Sequence, residues 1–128
     1  MDGDYSAAYI NGTDVDFSRR NAGTWTTETA MSADTFGANL ALSYAGSEYV
    51  IATQDNNAHD LWIATGAPGS WSSSRVHGTN SEGMGHPISG NSIQAASSAT
   101  EHIVIHSGEG NVMLHTKPVG SGSWSSPS

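Results

Sequence analysis

The chain has 128 residues, with four basic and 12 acidic side chains and a net charge of −8. Nucleic acids and anionic membrane surfaces bind through clustered lysine and arginine, so neither is an expected partner. The chain contains no cysteine, which excludes disulfides and thiolate metal ligands. Its apolar runs are far shorter than the roughly 18 residues that span a bilayer, so no transmembrane helix is predicted. Its first residues are acidic and lack the apolar core of a signal peptide, so a signal peptide is not predicted either.

The first part of the chain predicts three short β-strands, over residues 5–9, 15–19 and 24–30. Each strand contains aromatic or β-branched residues in alternation with polar ones, which is the pattern of a half-buried strand. The segments "NGTD" and "NAG" between them are typical of turns. An apolar stripe of helical period does not occur over any useful length.

Two longer units follow, and each predicts four strands, the last of which contains "GSWSS". Leu40 precedes Trp71 by 31 positions, and Ile93 precedes Trp124 by the same 31 positions. Because the loop lengths inside the two units differ but cancel over the whole unit, the spacing indicates a structural repeat. The other strands are predicted over residues 40–44, 49–53, 61–65, 93–97, 103–107 and 112–116.

Four-stranded units that repeat about every 45–50 residues are typical of β-propeller blades. We therefore predict an all-β fold, a partial β-propeller of just under three four-stranded blades in a single domain. The first blade is incomplete and covers residues 1–31, the second covers about 38–77, and the third covers about 91–128.

The segment "DGDYSAAYINGTDVDFSRRNAGTWTTETA" resembles bacterial propeller repeats of the sialidase-like, BNR-like kind, whose last strand reads G-x-W-T-x-E-T-V. Trp25, Thr27, Glu28 and Thr29 match that strand, and the other two repeats share its Gly-x-Trp part. The strict Asp-box S-x-D-x-G-x-x-W is absent, because Arg20 stands where its Asp belongs. The resemblance implies a propeller, and it leaves the function open because many functions use this scaffold.

Propellers normally have four to eight blades, so just under three blades form an open arc with unpartnered faces at both ends. We expect a homodimer in which two chains complete a pseudo-six-bladed ring. The alternative is that the chain is a piece of a longer one. Trp25, Trp71 and Trp124 are expected to pack between neighbouring blades, and stacking on a glycan is the alternative role for them.

One end of the predicted fold carries the long polar loops, and propellers form pockets at such ends. A neutral glycan is the expected ligand class, because Asn, Asp, Gln and His side chains suit a ligand rich in hydroxyl groups. The predicted ligand-binding residues are Asp34, Gln54, Asp55, Asn57, His59, Asp60, His77, Glu82 and His86.

The same loop residues suggest an alternative chemistry. Asp55, Asn57 and Asp60, with His59, have oxygen and nitrogen ligands that suit a divalent cation. Their spacing matches no EF-hand template, so an Asx-rich turn is the expected structure. No cofactor and no metal ion is assigned to the chain.

Three histidines lie on predicted strands of the third blade. His102 and His106 point to the same face because strand side chains alternate with period two, opposite to Ile103 and Ile105. We expect His102, His106 and His115 to be core or polar-face residues, and a three-histidine metal site is the alternative.

Catalytic motifs are missing from the sequence, which has neither G-x-S-x-G nor H-E-x-x-H. The sialidase chemistry implied by the resemblance uses an arginine cluster, but Arg19, Arg20 and Arg75 are not expected to converge. We therefore predict an oligomeric binding or assembly module rather than an enzyme. The alternatives are a catalytic fragment of a sialidase-like glycoside hydrolase and a purely structural component of a secreted or viral assembly.

Overall fold

The computed structural model describes residues 5–32, 36–78, 92–108 and 111–128, and over these residues the chain is all-β. Those residues form ten strands, and they include no helix long and apolar enough to cross a membrane. The strands are β1 (Tyr5–Asn11), β2 (Asp14–Asn21), β3 (Thr24–Met31), β4 (Phe36–Ala45), β5 (Glu48–Asp55), β6 (Leu61–Ala67), β7 (Ser70–His77), β8 (Ile93–Ser97), β9 (Glu101–Gly108) and β10 (Asn111–Pro118).

The strands form three antiparallel sheets in which each strand pairs with its neighbour in sequence. Sheet 1 contains β1, β2 and β3, sheet 2 contains β4 to β7, and sheet 3 contains β8, β9 and β10. Tight turns connect them, and several have a glycine with positive φ, such as Gly12 between β1 and β2 and Gly46 between β4 and β5. Every predicted strand except the one at Trp124 is confirmed.

The predicted strand at Trp124 is instead an extended segment that follows the edge of β10. Leu114 and Ser128 exchange two backbone hydrogen bonds of 3.1 and 3.2 Å, and the Ser125 amide donates to the Thr116 carbonyl at 2.8 Å. The hydrogen bonding between this segment and β10 is irregular because side-chain groups replace some of the backbone partners. The Thr116 amide donates to the Ser125 hydroxyl at 2.9 Å, and the His115 ring bonds the Ser125 carbonyl at 3.0 Å.

Sheet 2 lies between the other two sheets and is covered on both faces. One core, between sheets 1 and 2, contains Phe17, Phe36, Tyr49 and Ile51. The other core, between sheets 2 and 3, consists of the buried residues Val50, Ala52, Leu61, Ile63, Ile93 and Val104. Burial on both faces explains why β5 contains the unbroken run "YVIAT" instead of a clear alternation of apolar and polar residues.

Two of the three repeated tryptophans, Trp71 and Trp124, pack between neighbouring sheets as predicted, and Trp25 does not. The Trp71 ring of sheet 2 lies 5.0 Å from the Phe17 ring of sheet 1. Trp124 follows β10 of sheet 3 and packs on the core shared with sheet 2. Trp25 has the equivalent position in sheet 1, but the described chain has no sheet before it, and its side chain is 53% exposed.

Candidate functional site

The turn from Gln54 to Asp60 is organised by one buried carboxylate. One oxygen of Asp55 accepts hydrogen bonds from the amides of Asn57, Ala58 and His59 at 3.0, 2.6 and 3.1 Å. Its other oxygen accepts from the indole Nε1 of Trp62 at 3.2 Å. This is the expected Asx-rich turn, and the Asp55 carboxylate is used to hold it together.

The side chains around this turn differ in exposure. Gln54 is buried on β5, Asn57 is exposed, and His59 is partly exposed. His59 has a φ of 59°, in the left-handed region that non-glycine residues rarely occupy. The turn therefore presents Asn57 and His59 outward on a backbone that internal hydrogen bonds fix.

Asp60 lies at the same end of sheet 2 and is also buried. Its carboxylate pairs with the Arg75 guanidinium at 3.3 Å. Gly78 has a φ of 111°, and a Cβ built on it would lie 1.8 Å from Asp60 Oδ1, so only glycine fits beside this carboxylate. The close approach fixes the chain directly after His77, where β7 ends.

Of the nine predicted ligand-binding residues, Gln54, Asp55, Asn57, His59, Asp60 and His77 belong to sheet 2 or to its turns at this end. Asp34, Glu82 and His86 lie outside the described residues. The glycan-binding surface as a whole stays a prediction.

His77 joins two histidines of sheet 3 in a compact cluster. The ligand atoms of His77, His106 and His115 all lie within 4.8 Å of one another. His77 Nδ1 is 3.4 Å from His106 Nε2, and His106 Nε2 is 3.1 Å from His115 Nε2. His106 and His115 are fully buried, whereas His77 is half-buried.

Backbone carbonyls set the orientation of the two buried rings. His106 Nδ1 lies 3.3 Å from the Ser107 carbonyl, and His115 Nδ1 lies 3.0 Å from the Ser125 carbonyl. A carbonyl only accepts, so each Nδ1 carries the hydrogen, and in the neutral ring each Nε2 has a lone pair. These two lone pairs face each other across 3.1 Å.

Burial disfavours the protonated form of both rings. It lowers the pKa of His106 to about 4; the bond to Ser107 opposes this shift, and the His115 and His77 rings add to it. Burial also lowers the pKa of His115, against the opposing bond to Ser125. Both rings are therefore neutral at pH 7, the state in which imidazole binds metal ions.

The sequence suggested His102 as the third member of a histidine trio, and the structure places it elsewhere. His102, His106 and His115 share the buried face of sheet 3, but His102 lies toward the opposite end, 3.6 Å from the Glu48 carboxylate. His77 takes the third position because β7 ends beside β9 and β10. Strand alternation predicted the shared face of His102 and His106, whereas the contact between sheets had no signal in the sequence.

The outer face of sheet 1 carries a group of exposed aromatic side chains. Tyr5, Tyr9 and Trp25 are 59%, 42% and 53% exposed. Tyr5 and Trp25 both pair with Arg20 of β2, and residues paired in this way share one face. Phe17 has the opposite orientation and packs on sheet 2, so this aromatic end face points away from the rest of the described chain.

Comparisons with protein-family models, with curated proteins and with solved structures found no match for this chain.

Proposed function

We propose that the chain is an oligomeric β-propeller module whose three sheets are blades of an arc that a second copy of the same chain closes. The observation that carries this proposal is the exposure of Trp25. Its counterpart Trp71 packs against Phe17 of the preceding sheet, while Trp25 lies on an end face with Tyr5 and Tyr9. Clustered exposed aromatic side chains of this kind mark an interaction surface.

The repeat itself indicates which surface covers this aromatic end face. Within the chain, the tryptophan of one sheet packs on apolar residues of the sheet before it. The sheet that would precede sheet 1 in a ring is sheet 3 of a second copy. Its outer face presents Ile105 and Val112, which are 40% and 74% exposed, beside Leu114.

The proposed contact joins two different faces, that of sheet 3 in one chain and that of sheet 1 in the other, so it is heterologous. Such contacts form a closed ring when the rotations from sheet to sheet add up to a full turn, and an open filament otherwise. A two-fold axis along the centre of the ring would create two identical contacts between sheet 3 of one chain and sheet 1 of the other. The product has six sheets, which lies within the range of four to eight blades in known propellers.

The test measures solution mass by light scattering for Trp25→Asp and Val112→Asp, one substitution on each end face. Both variants are expected to be monomeric at concentrations where the unaltered chain is dimeric. Tyr44→Asp is the matched control, because Tyr44 is 52% exposed but belongs to sheet 2. Dimeric variants, or a monomeric control, would contradict the proposed interface.

Mixing the two variants distinguishes unlike-face pairing from pairing of two aromatic end faces. Trp25→Asp retains an intact sheet 3 face, and Val112→Asp retains an intact sheet 1 face. An equimolar mixture can therefore form one undamaged contact, and its mass should rise toward that of a dimer. A mixture that stays monomeric contradicts the head-to-tail arrangement.

Glycan binding at the turn from Gln54 to Asp60 is the second candidate function. The backbone of His59 supports it, since a left-handed non-glycine residue held by surrounding hydrogen bonds is typical of functional loops. We expect Asn57→Ala and His59→Ala to weaken binding of a neutral glycan, and Thr24→Ala, on an exposed strand of sheet 1, to leave it unchanged. If a glycan array detects no ligand, this second candidate fails and the assembly proposal is unaffected.

A further inference from the structure

The contact between His106 and His115 is unusual for neutral side chains. Both rings carry their hydrogen on Nδ1, because each Nδ1 faces a backbone carbonyl. The two Nε2 atoms nevertheless lie 3.1 Å apart, and neither has a hydrogen to share. A cation between the rings would turn this unfavourable contact into two favourable ones.

Two of the three nitrogen separations, and all three separations of the ring centres, match those around a tetrahedral metal ion. With metal–nitrogen bonds of about 2.0–2.1 Å, two ligand nitrogens are about 3.3 Å apart and two ring centres are roughly 5 Å apart. The His106–His115 and His77–His106 nitrogen separations are 3.1 and 3.4 Å, and the ligand atoms of His77 and His115 lie within 4.8 Å of each other. The three ring centres are separated by 5.2, 5.4 and 5.5 Å.

We propose that His77, His106 and His115 form a three-histidine binding centre for Zn²⁺. Imidazole nitrogen suits Zn²⁺ and its first-row neighbours, whereas Mg²⁺ and Ca²⁺ require oxygen ligands. The carbonyls of Ser107 and Ser125 orient two of the rings, which is the usual role of outer partners at zinc sites. Three protein ligands leave the fourth tetrahedral position to a ligand from outside this cluster.

The position of the centre gives it a structural consequence. His77 ends β7 of sheet 2, while His106 and His115 belong to β9 and β10 of sheet 3. A bound ion would therefore join the two sheets. Because the three ligands converge only in the folded chain, metal binding should stabilise that chain against unfolding. This inference is independent of the oligomeric state.

The alternative is a metal-free chain of hydrogen bonds in which His77 donates from Nδ1 to His106 Nε2. That arrangement satisfies His106 and leaves the lone pair of His115 Nε2 facing it. The two arrangements differ in one measurable property, which is affinity for a transition metal.

The experiment uses the full chain without a histidine tag, stripped with a chelator and titrated with Zn²⁺ by calorimetry. We expect one ion per chain and a melting temperature that rises with Zn²⁺ and returns when the chelator is added. Co²⁺ provides a second probe, because tetrahedral Co²⁺ has a characteristic visible absorption.

His77→Ala is the decisive variant, because His77 is half-buried and its loss leaves both cores intact. Loss of a ligand should weaken Zn²⁺ binding by more than the 10–100-fold that loss of an outer partner costs. Thr26→Ala changes an exposed residue of sheet 1 outside the cluster and should bind Zn²⁺ like the unaltered chain. No binding by the unaltered chain, or unchanged binding by His77→Ala with native circular dichroism, would overturn the proposal.

Discussion

At the scale of single residues, Glu28 gives the Gly-x-Trp segment at Gly69 and Trp71 a role in joining two sheets. Its carboxylate on β3 of sheet 1 accepts the Gly69 amide at 2.8 and 2.9 Å and the Trp71 indole Nε1 at 2.5 Å. One acidic side chain thus binds the glycine and the tryptophan of the following repeat. The glutamate of the "TWTTETA" strand connects one sheet to the next.

Glu28→Ala should lower the free energy of unfolding by roughly 1.5–3 kcal/mol, the range for hydrogen bonds to a charged group. The Trp71 indole would lose its acceptor and the contact between sheets 1 and 2 would weaken. Glu28→Gln keeps one acceptor oxygen and should lose less. Urea denaturation gives the comparison, with Glu101→Ala at the start of β9 as the control. Equal stability of Glu28→Ala and the unaltered chain would exclude this role.

At the scale of elements, hydrophobic alternation and turn residues were sufficient to predict the ten strands. Alternation failed at Trp124, because Ser125 interrupts the backbone ladder through its hydroxyl and its carbonyl. The Asx-rich turn at Asp55 was predictable, since it depends on local spacing alone. The His77 cluster was not, because it depends on how two sheets meet, which strand periodicity does not determine.

A second contact between sheets 2 and 3 lies at the turn between β4 and β5. Glu48 accepts a hydrogen bond from Lys117 Nζ of β10 at 2.7 Å and another from the Gly120 amide, and His102 faces the same carboxylate. Burial raises the pKa of Glu48, but the hydrogen bonds and the charges of Lys117 and His102 outweigh it and lower the pKa below its ordinary value.

This lowered pKa gives a stability difference that depends on pH. A carboxyl whose pKa is lower in the folded state stabilises the fold above its unfolded pKa, about 4.3 for glutamate, and loses that contribution as the pH falls further. Glu48→Gln should therefore cost roughly 1.5–3 kcal/mol at pH 7 and progressively less below about pH 4. Thermal unfolding at several pH values measures this, with Glu101→Gln as the control. If Glu48→Gln lowered the free energy of unfolding equally at every pH, the ionised Glu48 carboxylate would not be the source of the stabilisation.

At the scale of the whole molecule, the two ends of the sheet stack are complementary. Each internal contact joins a tryptophan-bearing face to the apolar face of the preceding sheet. The described residues leave one exposed face of each kind, with Tyr5, Tyr9 and Trp25 on sheet 1 and Ile105 and Val112 on sheet 3. In the proposed closed ring, a second copy would provide the neighbour for both faces.

The solution mass of the unaltered chain tests this proposal most directly. Light scattering across micromolar to tens-of-micromolar concentrations should give twice the 13.3 kDa of one chain, without larger species. A discrete dimer is expected because two heterologous contacts close the ring and leave no free end face. A mass of one chain throughout that range, or a series of growing oligomers, would contradict the closed ring.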